Sequence, residues 1–521
     1  MRAGLIVRNA RIRTVDEAFG QAECMVVREG RIAAIGGADI LRDWSPDRVL
    51  DAEGRWVYPG FLDPHSHLVA YSSTLAMADL TGARSWDEAM DRLLAHHQRH
   101  PDGWLQGRGW DQNLWPGQAY PTRERLDQAF PRRPVYLTRV DGHAAVANGA
   151  ALALAGAGPR TRVAGGELAM ADGSLTGLLI DNAINLVKLI IPPPDRAARE
   201  RALLQAQANC LAAGLTSVCD AGTERDDALL LEAMHRDGRL KLRVYAMLRP
   251  TEENFARFVA GGIQVTDRLA IRSIKAFADG ALGSRGALML APYSDDPGNR
   301  GLQLTGSERL EEICRRAAAA GYQVNTHCIG DGAVRLMLGI YGRHLDAGND
   351  RRWRIEHAQV VADEDLPAFG ARGIIPSVQA SHATSDMRWA AERLGPRIRQ
   401  AYRYQDLLRQ NGWLPNGSDF PIEPVNPLFG FYAAVARKDR TGWPEGGFQP
   451  ENALTREQAL RAMTVWAARA NFEERDRGSL EVGKWADFVI LDRDLMTCPE
   501  SGILSARVLA THIAGERVHP G

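Results

Sequence analysis

The sequence predicts an α/β protein: a (β/α)8 TIM-like barrel, a small β-sandwich domain built from both chain ends, and an insertion after the first barrel strand. Three observations predict it. The centre of the 521-residue chain alternates strand-like apolar runs with helical stretches, the pattern of a parallel α/β domain. Both ends carry short strands separated by Gly-containing turns. The stretch between the first two central strands is far too long for one helix.

The elements follow in chain order. Residues 5–7, 10–12, 24–27 and 31–35, with a Glu29-Gly30 turn, read as short strands. Residues 486–491, 508–513 and 517–518, around a Gly515-Glu516 turn, have the same texture. Neither set alone has enough strands for a stable sheet domain, so residues 1–57 and 475–521 are expected to combine into one sandwich. Residues 58–474 are expected to form the barrel, with strands at 58–63, 215–220, 242–248, 271–277, 322–326, 353–356, 373–378 and 413–417. Helices such as 197–213 and 308–320 intervene.

The insertion, 68–194, ends near Pro192-Pro193-Pro194 and is expected to hold a helix at 86–97, a Gly/Trp-rich loop at 106–111 and a strand at 134–140. Long insertions on barrels generally build substrate-facing lids; decoration is the alternative. Thr455 with Gln458 reads as a capping box opening the helix that carries Trp466.

Composition narrows the function classes. Hydrophobic content of 45% with 24% charged residues is ordinary for a soluble globular protein. A net charge of −1 carries no argument for nucleic acid or a membrane surface. The six cysteines are scattered without a C-x-x-C pair, as in a reduced cytoplasmic protein, and the N-terminus alternates apolar and basic residues like a strand rather than a signal peptide. No segment reaches the ~18 apolar residues of a membrane span. The expected partner is a small-molecule substrate; a homodimer is compatible with the sequence.

Chemistry gathers at the predicted strand ends. His65 and His67 lie two positions apart at the end of a strand, so both imidazoles can face one ion. Strand four delivers Lys275, strand five His327, strand six His357 and strand eight Asp419. In a barrel, function collects at the C-terminal strand ends. Four histidines, a lysine and an aspartate on five separate strand ends are hard to explain as packing and read as a metal site.

The set His65, His67, Lys275, His327, His357 and Asp419 resembles that of the amidohydrolase superfamily. Residues 58–67 are similar to its first-strand motif, and residues 478–492 to its return to the sandwich. The tracts 275–285, 379–386 and 417–427 resemble the branch that contains N-substituted formamide deformylases, amidohydrolase family 3. The resemblance implies that His65, His67 and Asp419 hold one metal and that His327 and His357 hold another. It further implies that Lys275 is a CO₂-derived carbamate bridging the two. Two zinc ions are the expected cofactor, with manganese or iron as other metals and a one-metal site with unmodified Lys275 as the alternative.

Two metals about 3.5–4 Å apart can share a water and lower its pKa to roughly 7. Asp419 is then the candidate proton acceptor, and with Lys275 makes up the catalytic pair.

Substrate-contact candidates are His143, after the insertion's strand; His382, just past strand seven; Arg285, for a substrate carboxylate or else a pair with Asp279; and Trp110, as an apolar wall or part of a structural loop. The expected activity is metal-dependent hydrolysis of a C–N bond in a small amide or N-substituted formamide. The alternatives are an ester, carbamate or cyclic amide at the same site, or a non-catalytic scaffold of this fold.

Overall fold

The computed structural model describes residues 1–520 apart from 140, 141, 143, 164 and 165. His143 therefore lies outside the described residues. The chain divides into two compact units, one formed by 1–70 with 206–521 and the other by 71–205.

The first unit contains a parallel barrel. Its strands are β1 (Phe61–Ser66), β2 (Leu215–Thr223), β3 (Arg243–Leu248), β4 (Leu269–Phe277), β5 (Gln323–Cys328), β6 (Arg354–His357) and β7 (Ile375–Ser377), hydrogen-bonded in that order. Short Gln264–Val265 pairs antiparallel with β4. The strands are buried almost throughout, as expected for a sheet covered on both faces.

The expected eighth strand, 413–417, is reduced to one parallel bridge between Val378 and Asn416. Pro415 has no N–H to give a ladder, and the Ser418 N–H is taken by the Asp63 carboxylate. The segment still closes the barrel: Gly417 N donates to Val378 O at 2.9 Å, Asp419 N to His65 O at 2.8 Å and His67 N to Phe420 O at 2.8 Å.

The expected first barrel strand splits at Gly60. Trp56–Pro59 pairs with Phe488–Leu491 and Arg11–Arg13 in an end sheet, and Phe61–Ser66 enters the barrel. A Cβ at Gly60 would lie 2.3 Å from Thr216 Oγ1, so the crossing is open to glycine alone.

Six strands drawn from both chain ends form that end sheet, and residues from 5 to 51 form a four-stranded one. Leu5, Val7 and Met25 of the smaller sheet pack in one apolar cluster with Ile12, Val57, Phe488 and Ile490 of the larger. Asp487, beside this cluster, accepts two bonds from fully buried Arg243 of β3, at 2.7 and 2.9 Å.

The second unit is richer in structure than the sequence suggests. It holds a six-stranded mixed sheet in the order Ala78–Asp79, Leu105–Trp110, Val135–Arg139, Ala144–Ala147, Ser174–Asp181, Gly166–Ala171. Residues 106–111, expected as a loop, therefore lie largely in a strand. Here the glycines permit close backbone approach: a Cβ at Gly109 would lie 2.2 Å from Thr81 Oγ1. The helix Trp86–Arg99 is capped by Ser85, whose side chain accepts from Glu88 N. The Thr455–Gln458 capping box is present, but it opens the helix Arg456–Ala462; Trp466 falls on the next one, Val465–Ala470.

Candidate active site

Alternation along the barrel strands selects what faces inward. On β1 it aligns Asp63, His65 and, just past the strand, His67. On β4 it aligns Ser273, Lys275 and Phe277; on β5, Gln323, Asn325 and His327. Register places Lys275 beside Asn325 and His327 beside Glu356.

These side chains converge. Asp419 Oδ1 lies 3.0 Å from His67 Nε2 and 3.4 Å from His65 Nε2, and its Oδ2 lies 3.6 Å from His382 Nε2. The His65 and His357 rings are 4.9 Å apart, and the His327 and His357 rings 4.5 Å. Lys275 Nζ sits 3.4 Å from His65 Nε2 and 4.9 Å over the Phe277 ring. The structure thus gathers all six residues of the expected metal set, and adds His382 from the helix Ala380–Asp386.

Two groups of donor atoms lie within 4.8 Å of one another: His65, His67 and Asp419, and His357, His382 and Asp419. The second differs from the expected His327–His357 pairing. His327 Nε2 instead faces Gly280 O at 3.4 Å and Asp279 Oδ1 at 3.7 Å.

Two of these side chains sit on left-handed backbone. His357 has φ 73° and Asp419 φ 62°. On a straight strand, adjacent Glu356 and His357 would face opposite ways. The turn of the chain at His357 brings both to the same cluster, a strain that functional sites commonly carry.

Electrostatics follow from burial. Lys275 is wholly buried, and among the described residues no carboxylate lies within ion-pair distance of it. Burial pushes its ammonium down, partly opposed by Glu356 and Asp419. Burial also holds His327 down at about 3, with Lys275 adding to the effect, and pushes His357 well below the usual imidazole range. Burial works against ionised Asp419 too, but the His65 and His67 imidazoles outweigh it and hold the carboxyl well below its ordinary value. The donor set of imidazoles and a carboxylate fits a divalent metal, and the buried His357 Nδ1 has no hydrogen-bond partner among the described residues.

Around this cluster stand carboxylates that sequence reasoning missed. Glu356, fully buried, receives His65 Nδ1 at 2.5 Å, which leaves Nε2 turned to the cluster. Burial raises Glu356, but His65 and then Arg354 overcome it and hold the carboxyl at about 2. Asp63 accepts from His65 N, Ser418 N and Ser418 Oγ, the last at 2.6 Å, and so ties β1 to the segment bearing Asp419. Asp279 accepts from Leu288 N, Ile329 N and Gly330 N, fixing the loop after β4 against the end of β5. Period-two alternation could have found Asp63, and Asp279 two places past Phe277; Glu356, adjacent to His357 and out of phase with it, had no such mark.

The structure places Trp110 in a core and gives Arg285 a partner other than the alternative expected for it. Trp110 is fully buried in the core of the second unit, and its Nε1 donates to Leu137 O at 2.9 Å, so it packs a core rather than walling a pocket. Arg285 pairs with Asp295 at 2.8 Å and not with Asp279, whose oxygens are taken by backbone N–H groups.

Comparison with known proteins agrees with this geometry. The Amidohydro_3 model, described as an amidohydrolase family, matches residues 48–519. Protein LONG AFTER FAR-RED 3 of Arabidopsis thaliana is 34% identical over 99% of this chain and 92% of its own length. An N-substituted formamide deformylase of Arthrobacter pascens is 28% identical over 98% of this chain and 97% of its own. The crystal structure of an uncharacterized metal-dependent hydrolase from Pyrococcus horikoshii OT3 superposes with a TM-score of 0.80 at 29% identity, covering 95% of this chain and 99% of that one. With a family match over nearly the whole length and the His, Lys and Asp residues gathered at the strand ends, the chain belongs to the amidohydrolase family.

Proposed function

We propose that this protein is a metal-dependent hydrolase that cleaves a C–N bond of a small amide or N-substituted formamide. The observation that carries the reading is the convergence of His65, His67 and Asp419, with His357 and His382 on the far side of the same carboxylate. The likeness to a formamide deformylase over nearly the whole length supports the bond type. His65, His67 and Asp419 would hold one divalent metal, and His357 with His327 or His382 a second.

Such a metal would supply Lewis acidity to the attacking water and to the scissile carbonyl. The chain's own groups do the rest. Asp419 takes the proton of the water as its oxygen bonds to the carbonyl carbon. It then delivers that proton to the nitrogen as the C–N bond breaks, leaving an acid and an amine. Buried Lys275, disfavoured as an ammonium, suits attack of neutral Nζ on CO₂, which forms an N–C bond, releases a proton and yields a carbamate. His382 Nε2, at 3.6 Å from Asp419, stands where it can steady the carboxylate or the developing oxyanion.

The test is elemental analysis of freshly purified protein, followed by a panel of N-formyl, N-acyl, ester and cyclic-amide substrates on protein loaded with zinc or manganese and bicarbonate. Turnover of formamides or amides is expected. Exclusive esterase turnover would overturn the bond assignment, and absence of both bound metal and activity would favour a scaffold.

A further inference from the structure

Beside His67 the first unit has a half-open pocket of about 310 Å³, walled by the ends of β2, β3 and β4. Its polar lining includes Asp220, Asp227 and Arg249, and Phe277 is the aromatic part of its apolar wall. Asp220 is already engaged, since its carboxylate accepts from Thr223 Oγ1 at 2.6 Å and Val69 N at 3.0 Å. Arg249 is different. It follows β3 directly, its backbone N–H held by Thr223 O at 3.0 Å, and its guanidinium is half-exposed. Among the described residues its ion-pair contact is Glu224 at 3.4 Å, and both side chains of that pair are about half exposed. A water-facing single contact of this kind is weak and readily exchanged for a better anion.

The guanidinium carbon lies 5.7 Å from the centre of the Phe277 ring, and that ring lies 5.7 Å from the centre of the His327 ring. Two such steps, end to end, put Arg249 no more than about 11 Å from the reactive cluster. That is the length of one small molecule with an aromatic or aliphatic body. Arginine's planar fork holds two oxygens of a carboxylate at once, as it does those of a phosphate; beside Asp220 and Asp227 the singly charged carboxylate is the better match.

We propose that Arg249 sets the specificity of this pocket and that the preferred substrate is an amide bearing a carboxylate at its far end, its apolar body lying along Phe277. This rests on the amide-hydrolase reading, so its test needs a readout that does not depend on turnover. Three para-substituted N-benzylformamides, carrying carboxylate, methyl or aminomethyl, share one scissile bond and differ only in the group presented to Arg249.

On metal-loaded enzyme the carboxylate compound is expected to exceed the methyl compound in kcat/KM by at least about tenfold, the size of one charge-assisted contact. In R249Q that ratio falls to near one, and R249K restores part of it. Preference for the aminomethyl compound, as Asp227 would give, overturns the proposal; so does a ratio unchanged by R249Q. If none of the three is hydrolysed, the bond assignment fails while the pocket is still tested. Calorimetric binding of the carboxylate compound should be at least about tenfold weaker in R249Q than in the wild type. Equal affinity overturns the role of Arg249.

Discussion

Glu356 offers the sharpest test of how the site is built. It is fully buried, as is His65, and the two meet at 2.5 Å through Nδ1. An ionised carboxylate is acceptor-only, so Nδ1 carries the proton and Nε2 presents a lone pair to the cluster. Glu356→Gln keeps the volume and removes the charge. A charge-assisted bond is worth roughly 1.5–3 kcal/mol against about 1 for a neutral one, so the loss at His65 is about 0.5–2 kcal/mol. That corresponds to metal affinity falling by roughly tenfold, within the ~10–100-fold range of groups that orient metal-binding histidines. Arg354, 3.7 Å from Glu356, keeps its bonds to Pro64 O, Ala470 O and Asn471 Oδ1, so the barrel should stay folded. Competition of the protein against a fluorescent chelator gives the affinity, and urea unfolding monitors the fold. Wild-type affinity in E356Q, with affinity lost in H65N, would show that the Nδ1 contact does not govern His65.

Four further outcomes are expected. Gly417→Ala places a Cβ 2.8 Å from Asp63 Oδ1 and His65 N, which forces the β1 end and the Asp419 segment apart; a loss of about 1–3 kcal/mol in urea with weakened metal binding is expected, and wild-type values would refute the closure. Asp487→Ala strands a buried Arg243 and should cost about 3–5 kcal/mol, most of it recovered in R243M/D487L; a cost under about 1 kcal/mol would remove the pair as a tie between end sheet and barrel. His512, stacked on Phe488 at 4.2 Å, is held at about 3 by burial, with Arg517 and Arg48 adding. The unfolded chain takes up this proton near pH 6.5 and the folded one does not, so the group erodes stability as pH falls below 6.5, by up to about 1.4 kcal/mol per pH unit. His512→Gln should flatten that acid limb, and an unchanged slope in urea melts would refute the assignment. Removing metal with a chelator should lower the unfolding midpoint reversibly; at a free metal concentration of 100 Kd the difference is about 2.7 kcal/mol, and identical midpoints would argue against a bound metal.

How much was legible depended on periodicity. His65 and His67 were readable because alternate residues of a strand share a face, and the same rule covers Asp63. Lys275 and His327 follow it too. The eighth strand was not readable as irregular, because the consequence of Pro415 depends on where Ser418 N–H goes, and that partner, Asp63, lies 355 positions away in the chain. The strand at Leu105–Trp110 was hidden by Gly107 and Gly109, which lower strand propensity while serving close packing against Leu137 and Thr81. Both readings of Trp110, pocket wall or structural loop, have the same origin: a tryptophan in a glycine-rich stretch suggests a loop until its Nε1 partner is known. The alternative pairing of Arg285 with Asp279 fails because backbone N–H groups, invisible in sequence, hold Asp279.

Glu356 and His357 show why period alone could not complete the site. A regular β6 can aim one of them at the barrel axis, yet the cluster uses both: the carboxylate beneath His65 and the imidazole beside His327. The chain resolves this by leaving the β region at His357 and Ala358, with φ 73° and 42°, where the ladder of β6 ends. Asp419 meets the same demand on the other side of the gap between β7 and β1, with φ 62°. Each such residue costs of order 1–3 kcal/mol and persists only where its surroundings over-determine it. At Asp419 those surroundings are visible: its own N–H bonds His65 O, and Ser418 before it is held three times by Asp63. The seam where the sheet ladder is reduced to one bridge is therefore held by these side-chain and backbone bonds instead. Closing the barrel with a regular eighth strand would restore a ladder but turn Asp419 away from His65 and His67.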